Sequence, residues 1–204
     1  STTFENIFTY SKNFAEIHSL DFTGLYSIET FRSEDTDLAG DQIPYEHQLF
    51  HNLGSAGTIQ EYGSYLEEWG LMSFMGRVNY QLMDRYLITA TGRYDGSSRL
   101  SEDKKWSFFP SAAFGWRINN EPFMDGQDLF SSLKLRLSYG KTGNTVISPY
   151  QTRGGLSRTA YNFGGDAGYG YAPNQLSNPN LQWEVSTSTN LGLDFGLLDN
   201  RISG

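Results

Sequence analysis

Residues 77–118 read RVNYQLMDRYLITATGRYDGSSRLSEDKKWSFFPSAAFGWRI, and the stretch sorts itself by parity. Just ahead of it and into it, Gly76, Val78, Tyr80 and Leu82 fall on one side, and Arg77, Asn79 and Gln81 on the other. After Met83-Asp84 the pattern resumes, with Tyr86, Ile88, Ala90, Gly92 and Tyr94 set against Arg85, Thr89, Thr91 and Arg93. A polar stretch intervenes, and then Trp106, Phe108, Pro110, Ala112, Phe114, Trp116 and Ile118 share an apolar side. Side chains alternate across a β-strand, so each run predicts an amphipathic strand of about ten residues. Tyr86 and Tyr94 stand near the two ends of one apolar face, and Trp106 and Trp116 near the ends of another. Ten residues at about 3.3 Å span roughly 33 Å, or about 25 Å of height at a tilt of about 40°. That is the height of the lipid-facing band of an outer-membrane barrel, whose two edges carry aromatic girdles.

The same alternation extends outward. Residues 6–11 read as the end of a strand and 12–17 as a short connection. In 18–32, Leu20, Phe22, Gly24, Tyr26 and Ile28 oppose Ser19, Asp21, Thr23, Ser27 and Glu29. Further strands are predicted over 71–82, 85–95, 106–118, 133–140 and 183–196. The last sets Trp183, Val185, Leu191, Leu193 and Phe195 against Glu184, Ser186, Ser188, Asn190 and Asp194. The connections alternate in length. Those at 12–17, 83–84 and 197–200 are short; those at 33–68, 95–105 and 141–182 are long loops. Outer-membrane barrels have short periplasmic turns and long extracellular loops, visited in turn by antiparallel strands. The connection at 119–131 is the poor fit, being long for the short-turn side. The fold expected is all-β: an antiparallel meander of about seven long strands, an open slice of a large transmembrane β-barrel.

Composition narrows the function classes. No run approaches the roughly 18 apolar residues of a membrane helix, which is no argument against a barrel. Cysteine is absent, so disulfides and thiolate metal sites are excluded. Lys and Arg number 15 against 23 Asp and Glu, a net charge of −8. The excess has one address: between Ser33 and Glu68 every Asp, Glu, Lys or Arg is acidic (Glu34, Asp35, Asp37, Asp41, Glu46, Glu61, Glu67, Glu68), and the remainder is balanced. A neutral body with one acidic stretch lacks the basic patch that nucleic-acid binding needs. Nothing at Ser1 resembles a signal peptide and RISG stops where another strand would start, so a slice of a larger protein is expected.

Four blocks in order resemble one family. GRVNYQLMDRYLITATGRYDGSSRL at 76–100, WSFFPSAAFGWRI at 106–118, LKLRLSYGKTGN at 133–144 and NPNLQWEVSTSTNLGLDFGLLDNRISG at 178–204 are similar to the barrel of SusC/RagA-type TonB-linked outer-membrane transporters. The resemblance implies residues 1–204 as part of the β-barrel domain, with a plug and a TonB box lying outside the chain. It implies a place in the cell outer membrane against lipid, energy coupling through the TonB complex, and a SusD-like surface lipoprotein as partner. It implies glycan or peptide import as the activity, with no covalent chemistry, so no enzyme and no cofactor. The alternative is a secreted β-sandwich that binds carbohydrate. That explains the alternation equally well, but not the aromatics at both ends of the apolar face or the loop lengths. A passive porin, without a plug, is a third reading.

Several constellations invite chemistry and fall short. His47 and His51 with Glu46 have a metal-ligand spacing but no convincing third ligand. Gly140-Lys141-Thr142 lacks the earlier glycine of a phosphate loop, since Leu135 stands there, and Gly143-Asn144 breaks the following helix. Glu34, Asp35, Asp37 and Asp41 lack the spacing of a calcium loop. Two constellations remain. Arg77, Arg85, Arg93, Arg117, Lys134, Arg136, Asp21, Glu29, Glu184 and Asp194 would line a lumen, as ion pairs along the wall or as a dock for the plug. Tyr161, Phe163, Asp166, Tyr169 and Tyr171 sit among glycines in the longest loop, where they would touch a ligand or a partner, or pack on themselves.

Overall fold

The parity of residues 77–118 becomes three neighbouring strands in one antiparallel sheet. The computed structural model describes residues 1–199 and 201–204, with all their side chains except those of Glu46, Gln48 and Glu61. Asn200, expected in the last short turn, and the carboxylates of Glu46 and Glu61 in the acidic stretch therefore lie outside the described residues. In chain order the strands are β1 (Thr2–Phe14), β2 (His18–Asp41), β3 (Thr58–Leu82), β4 (Tyr86–Ser97), β5 (Trp106–Arg117), β6 (Phe130–Asn144), β7 (Gly155–Phe163), β8 (Asp166–Gln175), β9 (Glu184–Leu197) and β10 (Ile202–Ser203). Eight of them form one sheet in the order β1-β2-β3-β4-β5-β6-β9-β10, and β7 pairs with β8 alone. Seven are long, as the alternation predicts, and the short β10 lies within RISG. The sheet stays open, with β1 and β10 at its margins.

Register carries the parity across the whole sheet. Tyr10, Phe22, Val78, Ala90, Ala112, Tyr139 and Thr189 are successive cross-strand partners. One step along each strand, Thr9, Thr23, Arg77, Thr91, Ser111, Gly140 and Ser188 form the adjoining row. The first row belongs to an apolar face and the second to a polar one; a slip of one residue between any two strands would mix them. The described residues leave the apolar face largely uncovered. Phe8 is 62% exposed, Phe108 58% and Leu191 74%. A soluble sandwich would bury that face against a second sheet. The girdle residues fall as predicted: Tyr86 opposes Trp116, and Tyr94 stacks on Trp106 at 4.9 Å.

The short turns are tight. Ala15 and Glu16 (φ 53° and 54°), Met83 and Asp84 (54° and 56°), and Leu198 and Asp199 (53° and 57°) are left-handed pairs. Two consecutive left-handed residues match the twist of the flanking strands, the geometry that Asn-Gly usually supplies. Here larger residues accept it.

Three expectations need correction. The acidic stretch 33–68 is not all loop: β2 and β3 stay paired as far as Asp41↔Thr58, with a bulge at Ala39/Gly40. Tyr62, Tyr65 and Leu66 supply strand-forming side chains between the charges, which the charge run hid. Twenty-four residues of strand rise roughly 60 Å at the same tilt, so this hairpin stands far above the girdle. Residues 141–182 are likewise not one loop. Strand β6 continues to Asn144, and β7 and β8 make a hairpin about Gly164-Gly165, whose φ values of 68° and 110° suit glycine. Finally, Trp183 does not join the apolar face. It precedes β9, and its ring packs edge-on to Phe109, 5.1 Å between centroids.

Candidate functional site

Two places gather the candidate residues: the polar face of the sheet and the rim at its long-loop end. On the polar face Arg93 Nε donates to both carboxylate oxygens of Asp95, at 2.9 and 2.8 Å, while Nη2 donates to Ser73 Oγ at 3.0 Å. Asp95 and Ser73 are buried, so this pair is fixed rather than solvated. Arg77 Nε donates to Thr91 Oγ1 at 3.2 Å, and Arg136 Nη2 meets Asp194 Oδ1 at 2.5 Å. Arg117 pairs with Asp84 in the turn below. Glu184 accepts from Asn144 Nδ2 at 3.5 Å. Lys134 opposes Asp194 in the strand register, and Asp21 and Glu29 lie on β2 opposite Asn79 and Leu71. Arg85 is different. It lies in the turn ahead of β4, and its Nη1 reaches Glu121 Oε2 at 3.3 Å.

Glu121 was not legible as a site residue. It is 6% exposed, and its Oε1 accepts the Tyr86 hydroxyl at 2.7 Å and the Trp116 indole Nε1 at 2.9 Å. The Tyr86 hydrogen bond above all, then that of Trp116, holds its carboxyl below the ordinary 4.5, against the opposing pull of burial. The acid joins two girdle residues through contacts 35 and 5 positions away, which no local pattern announces.

At the rim, Leu100, Phe109 and Trp183 form a buried cluster, with Leu71, Ile147 and Leu181 packed on it. The pairing of β5 with β6 stops at Ser111↔Gly140 although β6 runs on to Asn144, and the rings occupy the space so opened. Gly143 is needed there: a Cβ would stand 2.1 Å from Phe109 Cζ and 2.8 Å from Trp183. Trp183 Nε1 donates to Lys105 O at 2.8 Å, and Ser101 N to Leu181 O at 3.1 Å. The Arg99 guanidinium lies 4.0 Å over the Trp69 ring, and Glu68 N donates to Tyr150 Oη at 2.9 Å. These contacts tie the connection after β4, the connection after β6 and the tall β2–β3 hairpin into one rim. Beneath it a cavity of about 500 Å³ opens onto Arg93, Asp95, Phe109, Lys141, Asn144 and Trp183.

The β7–β8 hairpin carries the five residues singled out in the sequence, and divides them. Phe163 opposes Asp166 and Tyr161 opposes Gly168, so Tyr161, Phe163 and Asp166 share one face. Tyr169 and Tyr171 share the other with Arg158, whose guanidinium lies 3.7 Å over Tyr169. The glycines are spacers, since a Cβ at Gly168 or Gly170 would strike the Phe163 or Tyr161 ring. Phe163, Tyr169 and Tyr171 are 72%, 66% and 73% exposed. His47 and His51 lie against Tyr45 and Phe50, and among the described residues no cluster of three His or acidic groups could hold a metal.

All of residues 1–204 match the family described as TonB dependent receptor-like, beta-barrel. The chain belongs to that family of TonB-dependent receptor barrels. TonB-dependent receptor P3 of Formosa agariphila is 37% identical over 202 residues, which is 99% of this chain and 20% of the relative. SusC of Bacteroides thetaiotaomicron is 42% identical over 153 residues, 72% of this chain and 15% of SusC. The chain thus spans about a fifth of the length of these TonB-dependent receptors. The RagAB peptide transporter shares its fold, with a TM-score of 0.86 at 24% identity over 98% of this chain and 22% of that one. Barrels of this family sit in the outer membrane. The family is one of receptors and transporters, not of enzymes.

Proposed function

We propose that the whole protein imports a nutrient, glycan or peptide, across the outer membrane, driven by TonB and aided by a SusD-like surface lipoprotein. The observation that carries this is the unbroken division of the sheet into an apolar and a polar row from β1 to β9, on a chain of this family. A polar wall with fixed charges suits contact with an internal plug. Arg77, Arg93, Arg117, Arg136, Glu184 and Asp194 are the residues for that role. Arg85, turned toward Glu121, serves the wall itself.

The β7–β8 hairpin is the contact for the lipoprotein or the captured nutrient. Support comes from its exposed rings and from its isolation, because a lone two-stranded hairpin is at best marginally stable by itself. Exposed aromatics on a scaffolded projection are the residue types that dominate such contacts. The test replaces Tyr161 and Phe163, or Tyr169 and Tyr171, by Ala in the full-length receptor in its native host. Both variants should insert normally. Copurification of the surface lipoprotein, or growth on a mixed glycan pool or a peptide digest as sole carbon source, should fall several-fold in at least one. Normal copurification and growth in both would remove the hairpin from the import pathway.

A further inference from the structure

The connection between β5 and β6 is the one that breaks the alternation of loop lengths. It consists of two single 3-10 turns, Ile118–Asn120 and Pro122–Met124, and a link to Phe130. Glu121 stands between the turns. Tyr86 and Trp116, which donate to it, are direct cross-strand partners on the apolar face. A single carboxylate oxygen can accept from both only if it lies on that side of the sheet. Glu121 therefore stands on the girdle side of the sheet end, although Arg85 also reaches it. The connection's flanks are fastened as well: Asn120 Nδ2 donates to Asp84 O and Oδ2 at 2.9 and 3.1 Å, and Leu133 N donates to Asn119 Oδ1 at 3.3 Å. So held, the segment presents Phe123, 68% exposed, and Leu129, 55% exposed.

We propose that residues 118–129 are a membrane-surface anchor, with Phe123 and Leu129 dipping into the headgroup–acyl boundary of the periplasmic leaflet. The occupant is phospholipid, because Phe123 lies two residues from Glu121, which is held by the lower-girdle pair Tyr86 and Trp116, and Leu129 directly precedes Phe130, the partner of Leu197 in the apolar row. Aromatic and aliphatic side chains held at that depth bind by apolar burial. Residues 118–133 contain no Lys or Arg, while Asp125 and Asp128 are exposed, so attraction to anionic headgroups contributes nothing. Glu121 can sit at this depth because its partners satisfy both of its oxygens. The bland role of a periplasmic spacer would leave Phe123 in water.

This inference rests on the apolar face being the lipid-facing one, and the test separates the two. Spin labels are placed at Phe123→Cys, Leu129→Cys, Ala112→Cys on the mid-strand apolar face and Leu156→Cys on the hairpin. The full-length receptor, with any other cysteine replaced by Ser, is reconstituted in phosphatidylethanolamine nanodiscs. Collision with lipid-soluble oxygen is compared with collision with a water-soluble nickel chelate. Positions 123 and 129 should favour oxygen several-fold over position 156, with no dependence on added phosphatidylglycerol or on salt. Glu121→Ala should move position 123 toward the aqueous value. Aqueous readings at 123 and 129 beside a lipid reading at 112 would overturn the anchor alone. An aqueous reading at 112 would overturn the lipid-facing assignment, and the anchor with it. An unchanged reading at 123 in Glu121→Ala would overturn the clamp.

Discussion

Trp183 donates its indole N–H to the carbonyl oxygen of Lys105 at 2.8 Å, across 78 positions of sequence. The bond joins the connection after β4 to the segment just ahead of β9, and the ring behind it belongs to the buried cluster of Leu100 and Phe109. It makes the rim one packed body, with Leu71, Ile147 and Leu181 against the cluster. Trp183→Ala should cost about 3–5 kcal/mol, by lost burial and a residual cavity. Trp183→Phe keeps most of the ring and loses the hydrogen bond, for about 1 kcal/mol. Urea midpoints of the full-length receptor in micelles measure both, and equal losses would remove the packing from the explanation.

Gly143 tests the same cluster from below. Gly143→Ala places a methyl 2.1 Å from Phe109 Cζ and should cost about 1–3 kcal/mol by overpacking. Gly76→Ala, where a Cβ meets nothing within 4 Å, should be close to neutral in the same titration.

The short turns hold avoidable strain. Ala15 and Glu16 are left-handed at φ 53° and 54°, a conformation costing ordinary residues roughly 1–2 kcal/mol each. Asn at 15 with Gly at 16 should raise stability by about 1 kcal/mol, read as a higher urea midpoint. A lower midpoint would mean that the turn is held by contacts and not limited by backbone strain.

Glu121 gives the girdle a pH dependence. Its folded-state pKa is lowered by Tyr86, Trp116 and Arg85, so its contribution to stability is fully present above the ordinary carboxylate value of 4.5. The contribution is lost as pH falls through the lowered value. Trp116 fluorescence in the full-length receptor should stay constant from neutral pH to 4.5 and change below it. Glu121→Gln should remove that step, while a step that persisted would assign it to another acid.

What the sequence showed and hid follows from the range of each interaction. The alternation of Val78, Tyr80, Ile88 and Ala90 is a local property, fixed by strand geometry, so faces and strand order were legible. The upper halves of β2 and β3 were masked because Glu34, Asp35, Asp37, Glu67 and Glu68 read as solvated loop while their backbone was paired. The Gly-rich 154–171 looked structureless because its glycines make room for rings lying across a hairpin. Trp183 kept the parity of β9 in sequence but stands one residue before the strand, where a non-local partner, Phe109, decides its direction. Glu121 carried no signal because its partners Tyr86 and Arg85 lie about 35 positions back, at the start of β4 and in the turn before it.

The two alanines at the middle of β5 test the central claim, a membrane-spanning wall with lipid on one face and lumen on the other. Ala112 opposes Ala90 and Tyr139 on the apolar face, and Ala113 opposes Thr89 and Ser138 on the polar one. The measurement is the folded fraction of full-length receptor in outer membranes, carrying Ala112→Arg or Ala113→Arg. Arg at 112 places a cation in lipid and should cost about 2–4 kcal/mol, with a corresponding loss of folded barrel. Arg at 113 points into the polar lumen and should leave most of the barrel folded. Equal losses, or a greater loss at 113, would contradict the account.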